Sequence, residues 1–217
     1  MTGNRIRALL ARYAVAWIYL GGFLLTGLVY AALPGSDRHA MLWWASTDVA
    51  NLQHHPVGCL VLSAFVTNDG WYAWPLLIAL ALFGANQALG NWRTAVVLAA
   101  GHVIGTLVSE GIVAYRVRSG LLPAGANRIL DVGPSYVVVA AIMVALLYGS
   151  WWARLAAAAD LALLVFAGQI FAGLSTLQVA AVGHATALVT GAVAGGLLAW
   201  QRRRAPRRQP AGPQPLI

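Results

Sequence analysis

The chain has 217 residues, of which 60% are hydrophobic and only 9% are charged, and its mean hydropathy is +0.72. A soluble domain carries about 25% charged residues because water must wet its surface, so a soluble globular protein is excluded. The net charge of +8 does not indicate nucleic-acid binding, since the basic residues lie between and beyond long apolar runs rather than in one patch. The single cysteine, Cys59, excludes an intrachain disulfide and a cysteine metal cluster.

The apolar runs predict an all-α, multi-pass membrane protein with six transmembrane helices. A bilayer core about 30 Å thick requires roughly 20 apolar residues per helix. The first run follows three arginines, and its length, together with the runs downstream, favours a retained span over a cleaved signal peptide. The predicted spans are 13–33, 71–90, 94–115, 132–152 and two more between 154 and 202, which are separated at about 173–176.

The positions of the arginines predict that both termini are cytoplasmic. Basic loops remain on the cytoplasmic side of a membrane. With the N-terminus inside, four arginines lie outside, where four aspartates (Asp37, Asp48, Asp69 and Asp131) cancel their charge. The ten inner arginines are Arg5, Arg7, Arg12, Arg93, Arg154, Arg202, Arg203, Arg204, Arg207 and Arg208. The short, compact plan of the chain suggests a protein of the plasma (inner) membrane.

These spans divide the chain into three parts. Residues 1–12 form a basic cytoplasmic N-terminus, 13–200 form the membrane domain, and 201–217 form an Arg/Pro-rich cytoplasmic tail that we predict to be disordered. The long outer loop 34–70 contains the apolar run 57–66, which is too short to span and is predicted to lie at or partly within the outer interface. The alternative is an ordinary amphipathic loop that its tryptophans anchor at headgroup level.

Ionisable side chains inside a membrane span are costly and are therefore functional candidates. Ser135 lies four residues past Asp131, or about 6 Å into a span that enters from outside, and His184 lies about 10 Å into another such span. A histidine is the usual base that takes the proton of a serine nucleophile. The sequence therefore predicts a Ser135–His184 pair just below the outer face, and the alternative is that Ser135 is only a helix N-cap.

A second polar group lies on the third predicted span. His102, Thr106 and Glu110 follow one another at a spacing of four residues and therefore share one helix face. They either line the cavity, with Glu110 orienting His184, or form a hydrogen-bond network that only ties the helices together. We expect a fourth ionisable residue, Asp160, to form a local ion pair with Arg154.

Small residues indicate how the helices pack. The pattern Gly-xxx-Gly occurs at Gly101 and Gly105 on the third span, and at Gly191 and Gly195 on the sixth. Small residues allow helix backbones to approach closely. We therefore expect the fourth and sixth helices to pack together and to bring Ser135 near His184.

The order of these features resembles the rhomboid intramembrane serine proteases. The matching stretches are Gly133-Pro134-Ser135, the segment 183–191 around His184, and the segment 51–65 at the end of the first outer loop. The resemblance extends from about 13 to 200. It implies a six-helix rhomboid-like bundle in which Ser135 is the nucleophile and His184 the general base, without a third acidic residue, a cofactor or a metal. The implied substrate is a transmembrane protein that is cleaved near the outer face of the bilayer.

The chain departs from the family's pattern at three places. Tyr136 follows the serine where the family usually has glycine, Val139 replaces the aromatic residue that often packs on the base, and the second span lacks the family's histidine and asparagine. Three functions are therefore open: a protease, with Gly133, Tyr136, His102, Thr106 and Glu110 as supporting residues; an inactive relative that binds transmembrane clients; and a small transporter or proton relay that uses His102, Glu110 and His184.

Overall fold

The chain is almost entirely helical over residues 2–68 and 70–204, which a computed structural model describes. Ten α-helices and two short 3-10 helices lie in these ranges. The α-helices are α1 (Thr2–Arg12), α2 (Ala14–Ala32), α3 (Gly35–Ala45), α4 (Val49–His54), α5 (Pro56–Ser63), α6 (Trp74–Leu89), α7 (Asn91–Arg118), α8 (Ser135–Tyr148), α9 (Trp151–Phe166) and α10 (Val179–Arg204). The 3-10 helices are Ala124–Arg128 and Leu174–Thr176.

Several of these helices are suited to the bilayer. Three of them, α2, α7 and α10, are long and apolar enough to cross a membrane, while α6 and α8 are apolar but shorter. One helix lies in each predicted span, namely α2, α6, α7, α8, α9 and α10. The protein is therefore a multi-pass membrane protein, and the number of six crossings and the orientation of the termini stay predictions.

Helix α8 forms the centre of the bundle. It packs against α6, α7, α9 and α10. Its residues from Tyr136 to Ile142 are all at most 2% exposed. An apolar helix of a membrane protein can face either lipid or other helices, and this burial shows that α8 faces other helices. The surrounding helices therefore fix the position of α8 and of the residues at its N-terminal end.

The predicted close packing of small residues is confirmed. A Cβ added to Gly191 of α10 would lie 2.5 Å from the carbonyl oxygen of Ala140 on α8. Added Cβ atoms at Gly101 and Gly195 would also meet side chains of α8. The backbones of α8 and α10 thus approach so closely that only glycine fits between them.

The long outer loop folds into the three short helices α3, α4 and α5. Helix α5 begins one residue before the apolar run 57–66 and ends within it. The loop is tied to the segment before α8, because Thr47 N donates to Asp131 O (2.9 Å) and Gly133 N donates to Ser63 O (3.0 Å). The loop therefore helps to hold the start of α8.

Helix α10 continues to Arg204, so residues 201–204 of the predicted tail are helical. The Arg202 guanidinium donates to the carbonyls of Gln87 and Ala88 at the end of α6.

The predicted ion pair between Asp160 and Arg154 is wrong. Asp160 is 1% exposed, and neither of its carboxylate oxygens has a hydrogen-bond partner among the described residues. Arg154 instead donates to the carbonyl of Leu147. Asp69, Arg207, Arg208 and the rest of the predicted tail lie outside the described residues.

Candidate active site

Ser135 is the first residue of α8. Gly133 has φ +145°, which an L side chain rarely adopts, and Pro134 follows as the N-cap. The prediction that Ser135 lies one turn inside the helix is therefore wrong, as is its alternative role as the N-cap. The backbone N–H groups of Ser135, Tyr136 and Val137 have no acceptor within the helix, since the first turn of an α-helix leaves its donors unpaired. The serine thus lies beside a cluster of backbone donors that the helix itself leaves unpaired.

His184 lies in the second turn of α10 and is 6% exposed. Its Nδ1 lies 2.8 Å from the carbonyl oxygen of Ile170. A carbonyl can only accept, so Nδ1 carries the proton and Nε2 carries a lone pair. Nε2 is buried and has no hydrogen-bond partner among the described residues. The imidazole is thus held in the tautomer that a general base requires.

The hydrogen bond between Ser135 and His184 is not formed in this structure, because His184 Nε2 has no partner in the described part of the chain. The ring of Tyr136, the next residue of α8, packs against His184. The two ring centroids lie 5.1 Å apart with the planes at 80°, which is an edge-to-face contact. The fold therefore brings the start of α8 and the imidazole together, with Tyr136 as the residue in contact.

His102, Thr106 and Glu110 face the interior, as their spacing predicts, and are 5%, 0% and 2% exposed. Each has one buried polar atom without a hydrogen-bond partner among the described residues: Nδ1, Oγ1 and Oε1, respectively. The ring of His102 lies 6.2 Å from that of Tyr136. The predicted role of Glu110 in orienting His184 is wrong, because the orienting acceptor is the carbonyl of Ile170.

His102 also connects α7 to the outer loop. Its Nε2 lies 2.9 Å from Leu60 O and 3.1 Å from Ser63 Oγ on α5. Since the carbonyl of Leu60 only accepts, Nε2 carries the proton and cannot remove one from Ser63. This second serine–histidine pair is therefore a tie between α7 and α5.

Asp131 is a part of the site that the sequence did not single out. Its Oδ2 accepts from Thr47 Oγ1 (3.2 Å) and from the hydroxyl of Tyr136 (3.2 Å), and its backbone N donates to Ser46 Oγ (3.1 Å). Burial raises the pKa of Asp131 to about 6. Glu110 and the buried Asp48 lie close to it. The only sequence signal was the position of Asp131 just before the glycine–proline turn.

A cavity of about 530 Å³ opens at the end of the bundle where α8 and α10 begin. Asp131 and Arg116 line it together with apolar residues of α7, of the loop before α8 and of the start of α10. Val179, which also lines it, offers its carbonyl to the Tyr136 hydroxyl (3.4 Å). The cavity thus lies one side chain away from His184. No group of three or more His, Cys, Asp or Glu residues in the described ranges is arranged to hold a metal ion.

Comparison with known proteins gives one match. A family model described as rhomboid-like protein matches residues 9–204, which is most of the chain. No curated protein and no solved structure matches. The match covers all the helices that form the site, from α2 to α10.

Proposed function

The chain belongs to the rhomboid-like protein family, and we propose that it is an intramembrane serine protease that cleaves transmembrane or juxtamembrane peptide bonds near the outer face of the bilayer. Ser135 is the nucleophile and His184 the general base. The observation that supports this proposal best is the tautomer of His184, whose Nδ1 is bound by Ile170 and whose Nε2 is buried and unpartnered among the described residues. A neutral imidazole with a free Nε2 can accept the proton of a serine hydroxyl.

In the acylation step, Ser135 Oγ attacks the carbonyl carbon of the substrate while His184 Nε2 takes the hydroxyl proton. The resulting oxyanion is stabilised by the free backbone N–H groups at the start of α8, where the helix dipole also favours negative charge. When the peptide C–N bond breaks, His184 gives its proton to the leaving amine. Water then hydrolyses the acyl-enzyme, again with His184 as the base.

This mechanism requires Ser135 and His184 to come within hydrogen-bond distance when substrate binds. Catalytic hydrogen bonds are often long in an unliganded enzyme and shorten in the complex. The cavity above Asp131 provides a place for the outer segment of a substrate chain. The family usually has a histidine and an asparagine on its second membrane span, and this chain lacks both. In this proposal, the backbone N–H groups at the start of α8 take their place.

A fluorophosphonate probe tests this proposal, because it labels only an activated serine. We expect the purified protein in detergent to be labelled at Ser135, and the labelling to disappear in Ser135→Ala and in His184→Ala. Ser150→Ala is the matched control, since Ser150 is exposed and lies at the N-cap of α9. Absence of labelling in the folded wild-type protein would contradict the proposal.

One observation favours a second candidate, an inactive relative that binds transmembrane clients. The edge-to-face contact of Tyr136 occupies one side of His184, and the dyad hydrogen bond is not formed. This candidate predicts that a client is captured by cross-linking equally in the wild-type protein and in Ser135→Ala, with no probe labelling in either. Substitutions in the outer loop 34–70 would then abolish the capture.

The proposed orientation, with both termini in the cytoplasm, has its own test. Ser36 of α3 and Ser150 before α9 are both exposed, whereas the native Cys59 is fully buried. A membrane-impermeant maleimide should label Ser36→Cys in intact cells. It should label Ser150→Cys only after the cells are permeabilised, and the reverse pattern would overturn the orientation.

A further inference from the structure

Tyr136 lies in a slot that two glycines create. A Cβ added to Gly105 on α7 would lie 3.3 Å from Tyr136 Cδ2, and one added to Gly183 on α10 would collide with the ring. The phenol is 2% exposed and its edge-to-face partner is His184, the residue after Gly183. Because Gly105 and Gly183 have no side chains, the ring of Tyr136 fits between α7 and α10, directly against the imidazole of His184.

The hydroxyl group of Tyr136 has hydrogen-bond acceptors on two other segments. It donates to Asp131 Oδ2 (3.2 Å) and also lies 3.4 Å from the carbonyl oxygen of Val179, at the start of α10. Asp131 is in turn held by Ser46 and Thr47 of the outer loop. One continuous chain of contacts thus connects the outer loop, the segment before Ser135 and the imidazole of His184.

We propose that Tyr136 and Asp131 are positioning residues for His184: the ring of Tyr136 sets the orientation of the imidazole, and the Asp131 carboxylate sets the position of the ring. This inference rests on the proposed function, in which His184 is the base. It assigns to Tyr136 the task of the aromatic residue that the family often has at the position of Val139. Tyr136 then replaces that aromatic residue in function, although it stands where the family usually has glycine.

The surroundings of Asp131 agree with a carboxylate that is held for its hydrogen bonds. Thr47 and Tyr136 both donate to it. The titratable groups that face it are Asp48 at the start of α4, whose negative charge repels it, Glu110 on α7, and Arg116, which lines the same cavity. No described residue forms a hydrogen bond from a cationic group to Asp131. The hydroxyl of Tyr136 is therefore one of the two side-chain donors that hold the carboxylate in place.

The alternative is that Tyr136 merely fills space in the core. Tyr148 provides a matched control, because it also lies on α8 and donates its hydroxyl to a carbonyl of α10, that of Ala192 (3.0 Å), but far from His184. A structural role predicts that Tyr136→Phe and Tyr148→Phe behave alike. A positioning role predicts that only Tyr136→Phe changes the chemistry at His184.

The first test is the rate of fluorophosphonate labelling by the full-length protein in detergent. A small misplacement of a catalytic group costs up to about 100-fold, so we expect about a 100-fold loss in Tyr136→Leu and about a tenfold loss in Tyr136→Phe. Tyr148→Phe should stay within about twofold of wild type, since a single hydroxyl away from the site contributes only to stability. Asp131→Asn, which keeps an acceptor oxygen, should retain more labelling than Asp131→Ala.

The double variant Asp131→Ala/Tyr136→Phe makes this test sharper. If Asp131 acts through the Tyr136 hydroxyl, the double variant is labelled no more slowly than the slower single variant, because the two substitutions break the same contact. Multiplied losses would show that the two residues act independently and would overturn the proposed coupling. Labelling of Tyr136→Phe, Tyr136→Leu and Asp131→Ala at the rate of Tyr148→Phe would overturn the whole inference while leaving the proposed function intact.

A second measurement does not depend on activity. Nitrogen-15 NMR of histidine-labelled protein reports the tautomer of each of the five histidines, and His184→Ala assigns the signal of interest. We expect a single Nδ1–H tautomer for His184 in wild type and in Tyr148→Phe, and a mixture in Tyr136→Leu. If the wild-type protein is not labelled by the probe but the tautomer changes in this way, the protease proposal fails and the positioning role of Tyr136 stands. An unchanged tautomer in Tyr136→Leu would overturn that role.

Discussion

His184 donates its Nδ1 proton to the main-chain carbonyl of Ile170 over 2.8 Å, so the acceptor that fixes its tautomer is a backbone carbonyl rather than a carboxylate. Ile170 lies between α9 and α10, one residue after Gln169, whose φ is +48°. The left-handed conformation costs about 1–2 kcal/mol for residues other than glycine. The turn that places the orienting carbonyl is therefore strained at a defined position.

This strain predicts opposite effects of two substitutions at Gln169, whose side chain is exposed. Gln169→Gly should keep full probe labelling and raise the free energy of unfolding by about 1 kcal/mol, because glycine adopts positive φ without cost. Gln169→Val should destabilise the turn, since β-branched residues avoid this region, and should slow labelling about tenfold by displacing the carbonyl. Equal labelling of the two variants would show that the turn does not hold His184.

The pair Ser63–His102 yields a prediction about which serine is reactive. His102 Nε2 lies 2.9 Å from Leu60 O and must carry a proton there, so it cannot activate Ser63. We expect Ser63→Ala to lower the free energy of unfolding by about 1 kcal/mol and to leave labelling of Ser135 unchanged. Mass spectrometry of the labelled peptide identifies the serine, and a probe adduct on Ser63 would contradict this assignment.

The positions of the helices could be predicted from the sequence, whereas several of their contacts could not. Apolar runs that end at arginine, proline or glycine located every long helix, and the spacing of the small residues predicted the contact between α8 and α10. The orienting carbonyl of Ile170 could not be predicted, because a backbone acceptor is present at every residue and leaves no signal in the residue types. The contact between Tyr136 and His184 depends on the missing side chains of Gly105 and Gly183, which lie on two other helices.

The expected Asp160–Arg154 ion pair shows why nearness in sequence misleads. Residues six apart on a helix do not share a face, since neighbours on the helix surface are three or four residues apart. Arg154 instead donates to Leu147 O, and the carboxylate of Asp160 is buried between the helices. The sequence predicts too early a start for α8 for a similar local reason. The glycine–proline turn delays the beginning of the helix until Ser135.

The close approach of α8 and α10 predicts a large difference between two glycine substitutions. In Gly191→Ala the new Cβ would lie 2.5 Å from Ala140 O and 2.9 Å from Ala140 Cα, and backbone atoms cannot move aside. We expect a loss of about 1–3 kcal/mol in the free energy of unfolding, together with slower labelling, because the helix that carries His184 is displaced.

The matched control is Gly111→Ala on α7, where a Cβ meets nothing within 4 Å. Alanine favours the helix over glycine by about 1 kcal/mol. Equal thermal stability of the two variants in detergent would contradict this packing.

The raised pKa of Asp131 predicts how stability depends on pH. Burial shifts this pKa from 3.8 to about 6, so between these values the folded protein binds a proton that the unfolded chain has released. The contribution of Asp131 to the free energy of unfolding should therefore fall as the pH rises from 4 to 6 and be constant above 7. We expect the free energy of unfolding to fall by about 1–2 kcal/mol, which corresponds to roughly 2–8 °C in Tm. This fall is smaller than the full pKa shift implies, because Asp131 is only half-buried.

Asp131→Asn removes this fall, whereas Asp37→Asn, at an exposed aspartate of α3, keeps it. Thermal unfolding followed by tryptophan fluorescence from pH 4.5 to 7.5 measures the difference, and parallel curves for wild type and Asp131→Asn would contradict the assignment of this titration to Asp131.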